Sequence, residues 1–518
     1  MELELRGITK QFPGVLANDD VDLRVEEGEL VALLGENGAG KSTLMNILYG
    51  LYTADKGEIL VDGKLLELGS PAESIAAGIG MVHQHFMLVP VFSVAENVIL
   101  GVEPVGKTGW IDRRQAAKSV RDISERYGLE VDPDAIIEDL PVGIQQRVEI
   151  IKVLFRDARF LVLDEPTSVL TPQEVEELFQ IIASLKEAGK GIIFISHKLK
   201  EVLEIADRIV VMRAGKTVGE VLPDETNENE LANMMVGRPV ELVVQKGKAQ
   251  REEPVLVVED LTVLDDRDVA AVQGVSMTVY AGEIVGIAGV QGNGQTELVE
   301  AITGLRPPIA GLVLISGEDV TLASPRAIHS RQVAHVPEDR QRSGLILDFT
   351  VTENMILDSY YDPPFSRGVM MNWDEARRQA VDLVEQYDVR TPSVDVDLST
   401  LSGGNQQKVI AAREFNRDVK LVIASQPTRG IDVGSIEYIH SRIVEERDEG
   451  AAVLIVSSEL DEVMALSDRV LVMFGGRIVG EFDPETTTTA EIGLHMLGSG
   501  GEQSAEGAIA SESGGSAE

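Results

Sequence analysis

The stretch Leu30-Val-Ala-Leu-Leu-Gly35-Glu36-Asn37-Gly38-Ala39-Gly40-Lys41-Ser42-Thr43 decides the fold. An apolar run reads as a buried strand, and the residues after Ser42 read as a helix. Between them, Gly35 to Ser42 fit G-x-x-x-x-G-K-[ST] in the setting that motif requires. Glycines let successive backbone N–H groups turn toward phosphate, and the helix start adds positive potential. Lys41 is the candidate partner of the β and γ phosphates of a nucleotide such as ATP. Ser42 is a candidate Mg²⁺ ligand, because Mg²⁺ takes a few protein oxygens beside phosphate oxygens.

Further along the chain, Arg159-Phe-Leu-Val-Leu-Asp164-Glu165 is an apolar run closed by two carboxylates. Asp164 is the candidate metal carboxylate and Glu165 the candidate base for the attacking water; phosphoryl transfer asks for little beyond positioning and charge neutralisation. The next apolar run ends in Ile195-Ser-His197, placing an imidazole where it could sense a terminal phosphate. Gln84, in Val82-His-Gln84-His, is a candidate for contact with Mg²⁺ or the water. Phe12 is a candidate for stacking on a base.

These runs alternate with helical patterns. Glu29–Leu34, Arg159–Leu163 and Gly191–Ile195 read as strands, Ser42–Tyr49 and Pro172–Ala188 as helices. Thr171, Pro172 and Glu174 supply a cap, a first-turn proline and a first-turn acid for the last of these. The alternation predicts α/β units around a mainly parallel sheet.

The whole pattern occurs twice. Val21-Asp-Leu-Arg-Val-Glu-Glu-Gly-Glu-Leu-Val matches the run from Val275, Val94-Ala-Glu-Asn-Val-Ile-Leu matches that from Val351, and Ala206-Asp-Arg-Ile-Val-Val-Met matches that from Ser467. Collinear domains are therefore expected over 1–240 and 254–497, with a polar linker over 241–253. From Gly498 the composition falls to Gly, Ser, Ala and Glu, predicting a disordered tail over 498–518.

Composition narrows the setting. Lys and Arg number 46 against 86 Asp and Glu, for a net charge of −40, and cysteine is absent. Disulfides and thiolate metal sites are excluded. Acid spread along the whole chain resembles proteins of high-salt cytoplasm, where counter-ions screen self-repulsion. A nucleic-acid partner is disfavoured, since no basic face stands out. No apolar run approaches the roughly 18 residues of a membrane span, and the first residues lack a basic start and an apolar signal core. A cytoplasmic protein that meets a membrane only by docking is expected.

The order of elements resembles that of ATP-binding cassette domains, and Leu401-Ser402-Gly403-Gly404-Asn405-Gln406-Gln407 resembles the signature of that family. The resemblance spans residues 1 to about 497 and implies two tandem P-loop ATPase domains. It also implies that each ATP is held by the P-loop of one domain and the signature of another. Ser402, Gly403 and Gly404, at a helix start, would then hold the terminal phosphate, with Asp432 following.

The departures sort by site. The second repeat has Gln295 for Lys41, Ser425 for Asp164, Gln426 for Glu165, Ser458 for His197 and Glu338 for Gln84. The first repeat has Pro141 for Ser402 and Thr171 for Asp432. Proline offers neither hydroxyl nor N–H. One implied site therefore keeps every member, while the other has lost its chemistry from both sides.

The fused repeats, the degenerate second loop, Val336-Pro-Glu-Asp-Arg340 and Gln426-Pro-Thr-Arg-Gly-Ile-Asp432 resemble the monosaccharide and nucleoside importers. The segment His83-Gln-His-Phe-Met-Leu resembles the nucleoside branch. That likeness implies an ATPase on the cytoplasmic face, two membrane permeases and a solute-binding protein. A soluble twin-cassette ATPase acting on ribosomes or DNA is the alternative.

Overall fold

The computed structural model describes residues 2–498, apart from 84–85, 106–109, 168–169, 171, 241–245 and 497. The chain divides into two compact units, 1–240 and 241–518. In the first, six strands lie in the order Lys216–Val221, Arg208–Arg213, Leu30–Gly35, Gly191–Ile195, Phe160–Asp164, Ile79–Val82. All neighbours pair in parallel except the Lys216–Val221 edge. The strand that feeds the phosphate loop is thus flanked by those ending at Ile195 and Arg213. Crossing connections carry the helices over the sheet, as parallel pairing demands. A four-stranded antiparallel sheet, Val15–Glu26, Glu2–Phe12, Lys56–Val61 and Lys64–Leu66, closes a core with it around Leu3, Leu5, Leu33, Leu44 and Val162.

The second unit repeats this order with Arg477–Phe482, Arg469–Phe474, Ile284–Ala288, Ala452–Ser457, Leu421–Ser425 and Val333–Val336. Runs such as Leu30–Gly35 and Ala452–Ser457 are buried throughout, and almost wholly apolar, because both faces of a parallel strand are covered. The expected strand Gly191–Ile195 is observed with those bounds; those expected at Glu29–Leu34 and Arg159–Leu163 are each shifted by one residue at both ends, to Leu30–Gly35 and Phe160–Asp164.

The repeated Val-x-Glu-Asn run has a physical cause. Ser93 and Glu96 form a capping box at the helix Val94–Ile99, and Thr350 and Glu353 do the same at Val351–Met355. The following asparagine is buried in each unit. Asn97 Oδ1 accepts from Val89 N–H at 2.7 Å and its Nδ2 donates to Val89 O at 3.1 Å. Asn354 makes the same pair with Ile346, at 2.9 Å each way. One amide thereby satisfies both backbone groups of a turning loop, which neither Asp nor Leu could do.

Residues 246–253 belong to the second unit rather than hanging as a free linker. Lys246 Nζ donates to Leu466 O at 2.9 Å, Arg447 Nη2 to Gly247 O at 3.0 Å, and Arg251 pairs with the fully buried Glu283 at 2.7 Å. Polar composition concealed this, because the bonds run through backbone carbonyls and ion pairs. The expected tail lies, beyond Gly498, outside the described residues. Among the described residues no helix is long and apolar enough to cross a membrane.

Candidate functional site

Gly38 and Gly40 stand at φ 84° and 101°, backbone that side-chain-bearing residues rarely adopt. The loop they shape turns directly into the helix Lys41–Leu48. Buried Asn18 braces the turn, donating from Nδ2 to Gly40 O at 3.1 Å. Lys41 is 7% exposed, and its Nζ donates to Gly35 O at 2.6 Å and Glu36 O at 3.0 Å. The ammonium thus lies folded into the loop it serves. Ala39 is buried, whereas Asn37, Gly38 and Ser42 are exposed and Thr43 is half-buried, so the hydroxyl of Ser42 is accessible at the helix start.

Asp164 and Glu165 close their strand beside this loop. Burial and the neighbouring Glu165 push the Asp164 carboxyl up to about 6, with Lys41 opposing. A half-buried carboxylate so raised gains from an arriving cation. Burial also presses Glu165 upward, but the bond to His197 and the charges of His197 and Lys41 outweigh it and hold the group below its usual range. His197 Nδ1 lies 3.2 Å from Glu165 Oε1. Glu165 has φ 47° and its N–H donates to Ile195 O at 2.8 Å, a turn that aims its side chain at the end of the sheet. The structure therefore gathers Lys41, Asp164, Glu165 and His197 in one place. Gln84 and Thr171 lie outside the described residues. Phe12, half-buried at the end of its strand, packs edge-on to Tyr52 at 5.5 Å.

The second unit keeps the scaffold with the chemistry exchanged. Gln295 is 8% exposed, close to Lys41, and its Nε2 donates to Val290 O at 3.1 Å while its Oε1 accepts from Asn293 N–H at 3.1 Å. A neutral amide has replaced the ammonium and bonds back into the loop. Gln426 keeps the φ of 48° and the bond to Val456 O at 2.7 Å, and its Oε1 accepts from Ser458 N–H and Oγ at 3.2 Å. The Glu–His contact has become an uncharged amide–hydroxyl contact. Thr296, the counterpart of Ser42, donates its hydroxyl to Glu338 Oε2 at 3.0 Å.

Ser402 stands at the N-cap position of the helix Gly403–Phe415, its Oγ accepting from the side-chain Nδ2 of Asn405 at 2.9 Å rather than from a backbone N–H. A Cβ on Gly404 would collide with Asp432 and Ser435, so this glycine is required by close packing. Asp432 caps the helix Val433–Asp448, accepting from Ser435 N–H at 2.9 Å. In the first unit the corresponding helix, Val142–Phe155, starts at Pro141, and like the helix after Ser402 it has no side-chain hydrogen bond to its first-turn N–H groups. Glu174 stands against Gly143 there, its Cδ 2.8 Å from where a Cβ would be. Sequence reading assigned Glu174 only to a helix first turn. Its signal was an acid in the first turn of a helix whose counterpart carries Ser435.

Comparison with known proteins gives the family. The family described as ABC transporter matches residues 18–168 and 272–429, once in each unit. The chain is 52% identical to the nucleoside import ATP-binding protein NupA of Lactococcus lactis, over 96% of this chain and 98% of that one. It is 50% identical to the guanosine import ATP-binding protein NupO of Bacillus subtilis, over 96% and 97%. It is 46% identical to a glucose import ATP-binding protein of Haloferax volcanii, over 99% of each. An archaeal ribosome recycling factor, solved with a ribosomal stalk protein, superposes with a TM-score of 0.62 over 95% of this chain and 92% of that chain. At 22% identity that likeness is one of fold alone. With a matching cassette in each of its two units, the chain belongs to the ABC transporter family.

Proposed function

We propose that this chain is the ATP-hydrolysing subunit of an importer for a nucleoside or a simple sugar. The observation that carries the reading is the sorting of losses: one set of residues is complete across the two units and the other is depleted from both sides. Relatives named for nucleoside, guanosine and glucose import, aligned over nearly their whole lengths, support the solute classes. The partners are two membrane permeases and a solute-binding protein, and the chain works peripherally on the cytoplasmic face.

The residues fit Mg²⁺. An accessible hydroxyl, Ser42, and a carboxylate raised by burial, Asp164, are the hard oxygen donors that ion takes, with Gln84 as a third. When bound, the ion would neutralise phosphate charge. The loop amides and Lys41 hold the β and γ phosphates, and Phe12 flanks the base. Glu165, ionised at neutral pH, orients the attacking water and accepts its proton, while His197 fixes that carboxylate. Ser402, Gly403, Gly404 and Asp432 complete the site from a second unit. ATP binding thus joins units, hydrolysis releases them, and the loops 84–101 and 338–357 pass the change to the permeases.

Uptake of labelled guanosine, ribose and glucose in a strain lacking this chain tests the reading. Loss of one of these, restored by the chain but not by its Lys41→Ala variant, is expected. Undiminished uptake of all three contradicts it. On the depleted side, Gln426→Ala is expected to change ATP turnover by less than about twofold, since an amide bonded to Ser458 contributes no base.

The acidic composition supports a salt-rich working environment. The Debye length shrinks from about 10 Å at 0.1 M to about 3 Å at 1 M salt, which removes most repulsion among exposed carboxylates. The thermal unfolding midpoint is expected to rise steadily between those concentrations of KCl. A midpoint unchanged or falling would show that the charge of −40 is already accommodated at low salt.

A further inference from the structure

Arg340, in the Val336-Pro-Glu-Asp-Arg340 run, takes no part in the chemistry above, and its counterpart in the first repeat is Phe86. It opens the π-helical turn Arg340–Gly344, which Asp339 caps by accepting from Gln341 and Arg342 N–H at 3.0 Å each. From there its guanidinium crosses to the segment before Asp432. Nη1 donates to Arg429 O at 2.8 Å and Nη2 to Gly430 O at 3.3 Å. The same group lies against the start of the signature helix. A Cβ on Gly403 would stand 2.6 Å from Nη2 and 3.3 Å from Gly430 O.

The clamp continues to the second unit's phosphate loop. The side chain of Arg429 pairs with Glu338 at 2.9 Å, and Glu338 accepts from Thr296 Oγ1 at 3.0 Å and Gln291 Nε2 at 3.2 Å. A loop that has lost its lysine is thereby tied, through Glu338, Arg429 and Arg340, to the start of the helix that carries Ser402. Gln341 adds a second link, donating to Gln406 of that helix at 3.5 Å.

Charge gives the arrangement its direction. A cation beside a helix N-terminus meets the positive end of the dipole, which is unfavourable in isolation. Among the described residues no carboxylate pairs with Arg340; backbone carbonyls hold it, and burial draws its pKa down. The corresponding helix start of the first unit has the opposite sign, with Glu174 against Gly143. The intact signature thus has a guanidinium beside it, and the degenerate one a carboxylate. An incoming terminal phosphate is favoured at the first and repelled at the second.

We propose that Arg340 is a positioning residue for ATP hydrolysis: it clamps Arg429 and Gly430 against Gly403 and so holds the signature start ready for the terminal phosphate. The inference rests on the reading that the second unit's signature completes the working site. It predicts an effect on turnover rather than on the first capture of Mg-ATP by the Lys41 loop.

The test is steady-state ATP hydrolysis by the purified full chain, with KM, kcat and the unfolding midpoint measured for Arg340→Ala, Arg340→Lys and Ser402→Ala. Arg340→Ala is expected to lower kcat about tenfold or more with KM within about twofold and the midpoint unchanged. Arg340→Lys is expected to fall between it and the parent, because an ammonium cannot reach both carbonyls as a fork does. If Arg340→Ala does not fold, Arg340→Lys carries the test, and parental kcat there overturns the proposal. Ser402→Ala slow with Arg340→Ala at parental kcat overturns the proposal alone. Both variants at parental kcat would overturn the shared-site reading as well. A raised KM with kcat preserved in Arg340→Ala also overturns it, by showing a role in nucleotide capture.

Discussion

Glu165→Gln is expected to stop turnover while ATP stays bound. The carboxylate sits 3.2 Å from His197 and is held below its usual range by that contact and by the Lys41 charge, so at neutral pH it is a base ready to accept a proton. An amide keeps the shape and the hydrogen-bonding reach but takes no proton. General-base contributions of this kind are worth about 10²–10⁴ in rate. Nucleotide capture depends on the loop amides and Lys41, which the change leaves in place, so retained radiolabelled ATP should reach the parental level. The molecule already contains the comparison: Gln426 occupies the equivalent turn in the second unit, with the same φ and the same backbone bond. A Glu165→Gln chain that hydrolyses ATP at more than a few per cent of the parental rate would place the base elsewhere.

Lys41→Ala is expected to remove both capture and turnover. The ammonium is buried in the loop, bonded to Gly35 and Glu36 carbonyls, and among the described residues of that loop it is the sole basic side chain. Loss of one preorganised donor to a developing charge commonly costs about 10²–10³ in rate, and loss of affinity adds to this. The reverse change in the second unit, Gln295→Lys, is expected to leave hydrolysis at the parental level. Ser425, Gln426 and Ser458 still supply neither metal carboxylate nor base, and Glu338 still engages the Thr296 hydroxyl. Nucleotide-binding and ATPase measurements on the two variants check both halves.

Most of the sheet was legible in sequence because parallel strands buried on both faces are written as unbroken apolar runs. The run Leu30–Gly35 followed by glycines and Lys41 placed the loop, and Phe160–Asp164 placed the carboxylates, within one residue of the observed elements. The duplicated run around Asn97 and Asn354 is visible as a repeat, yet its cause, an amide closing a loop through both backbone groups, lies in contacts that the residue pattern does not encode. Contacts made through carbonyls left no pattern to read. Lys246 and Arg251 looked like linker charge and turn out to dock residues 246–253 on the second unit. Arg340 and Glu174 were each seen in sequence, but their placement against Gly403 and Gly143 joins residues far apart in the chain.

That placement sharpens the asymmetry. The first unit holds the buried lysine, the raised Asp164 and the Glu165–His197 pair; the second holds the helix that starts at Ser402 with Arg340 beside it. On the proposed reading each unit carries part of the machinery for one hydrolytic reaction.

The most direct measurement is the ATPase rate of the full chain carrying Ser402→Ala, set beside Pro141→Ser. The account predicts that Ser402→Ala lowers kcat about tenfold or more with Mg-ATP affinity retained, because the first unit's loop is untouched, and that Pro141→Ser changes nothing measurable. Parental turnover in Ser402→Ala would contradict the claim that the second unit's signature completes the working site.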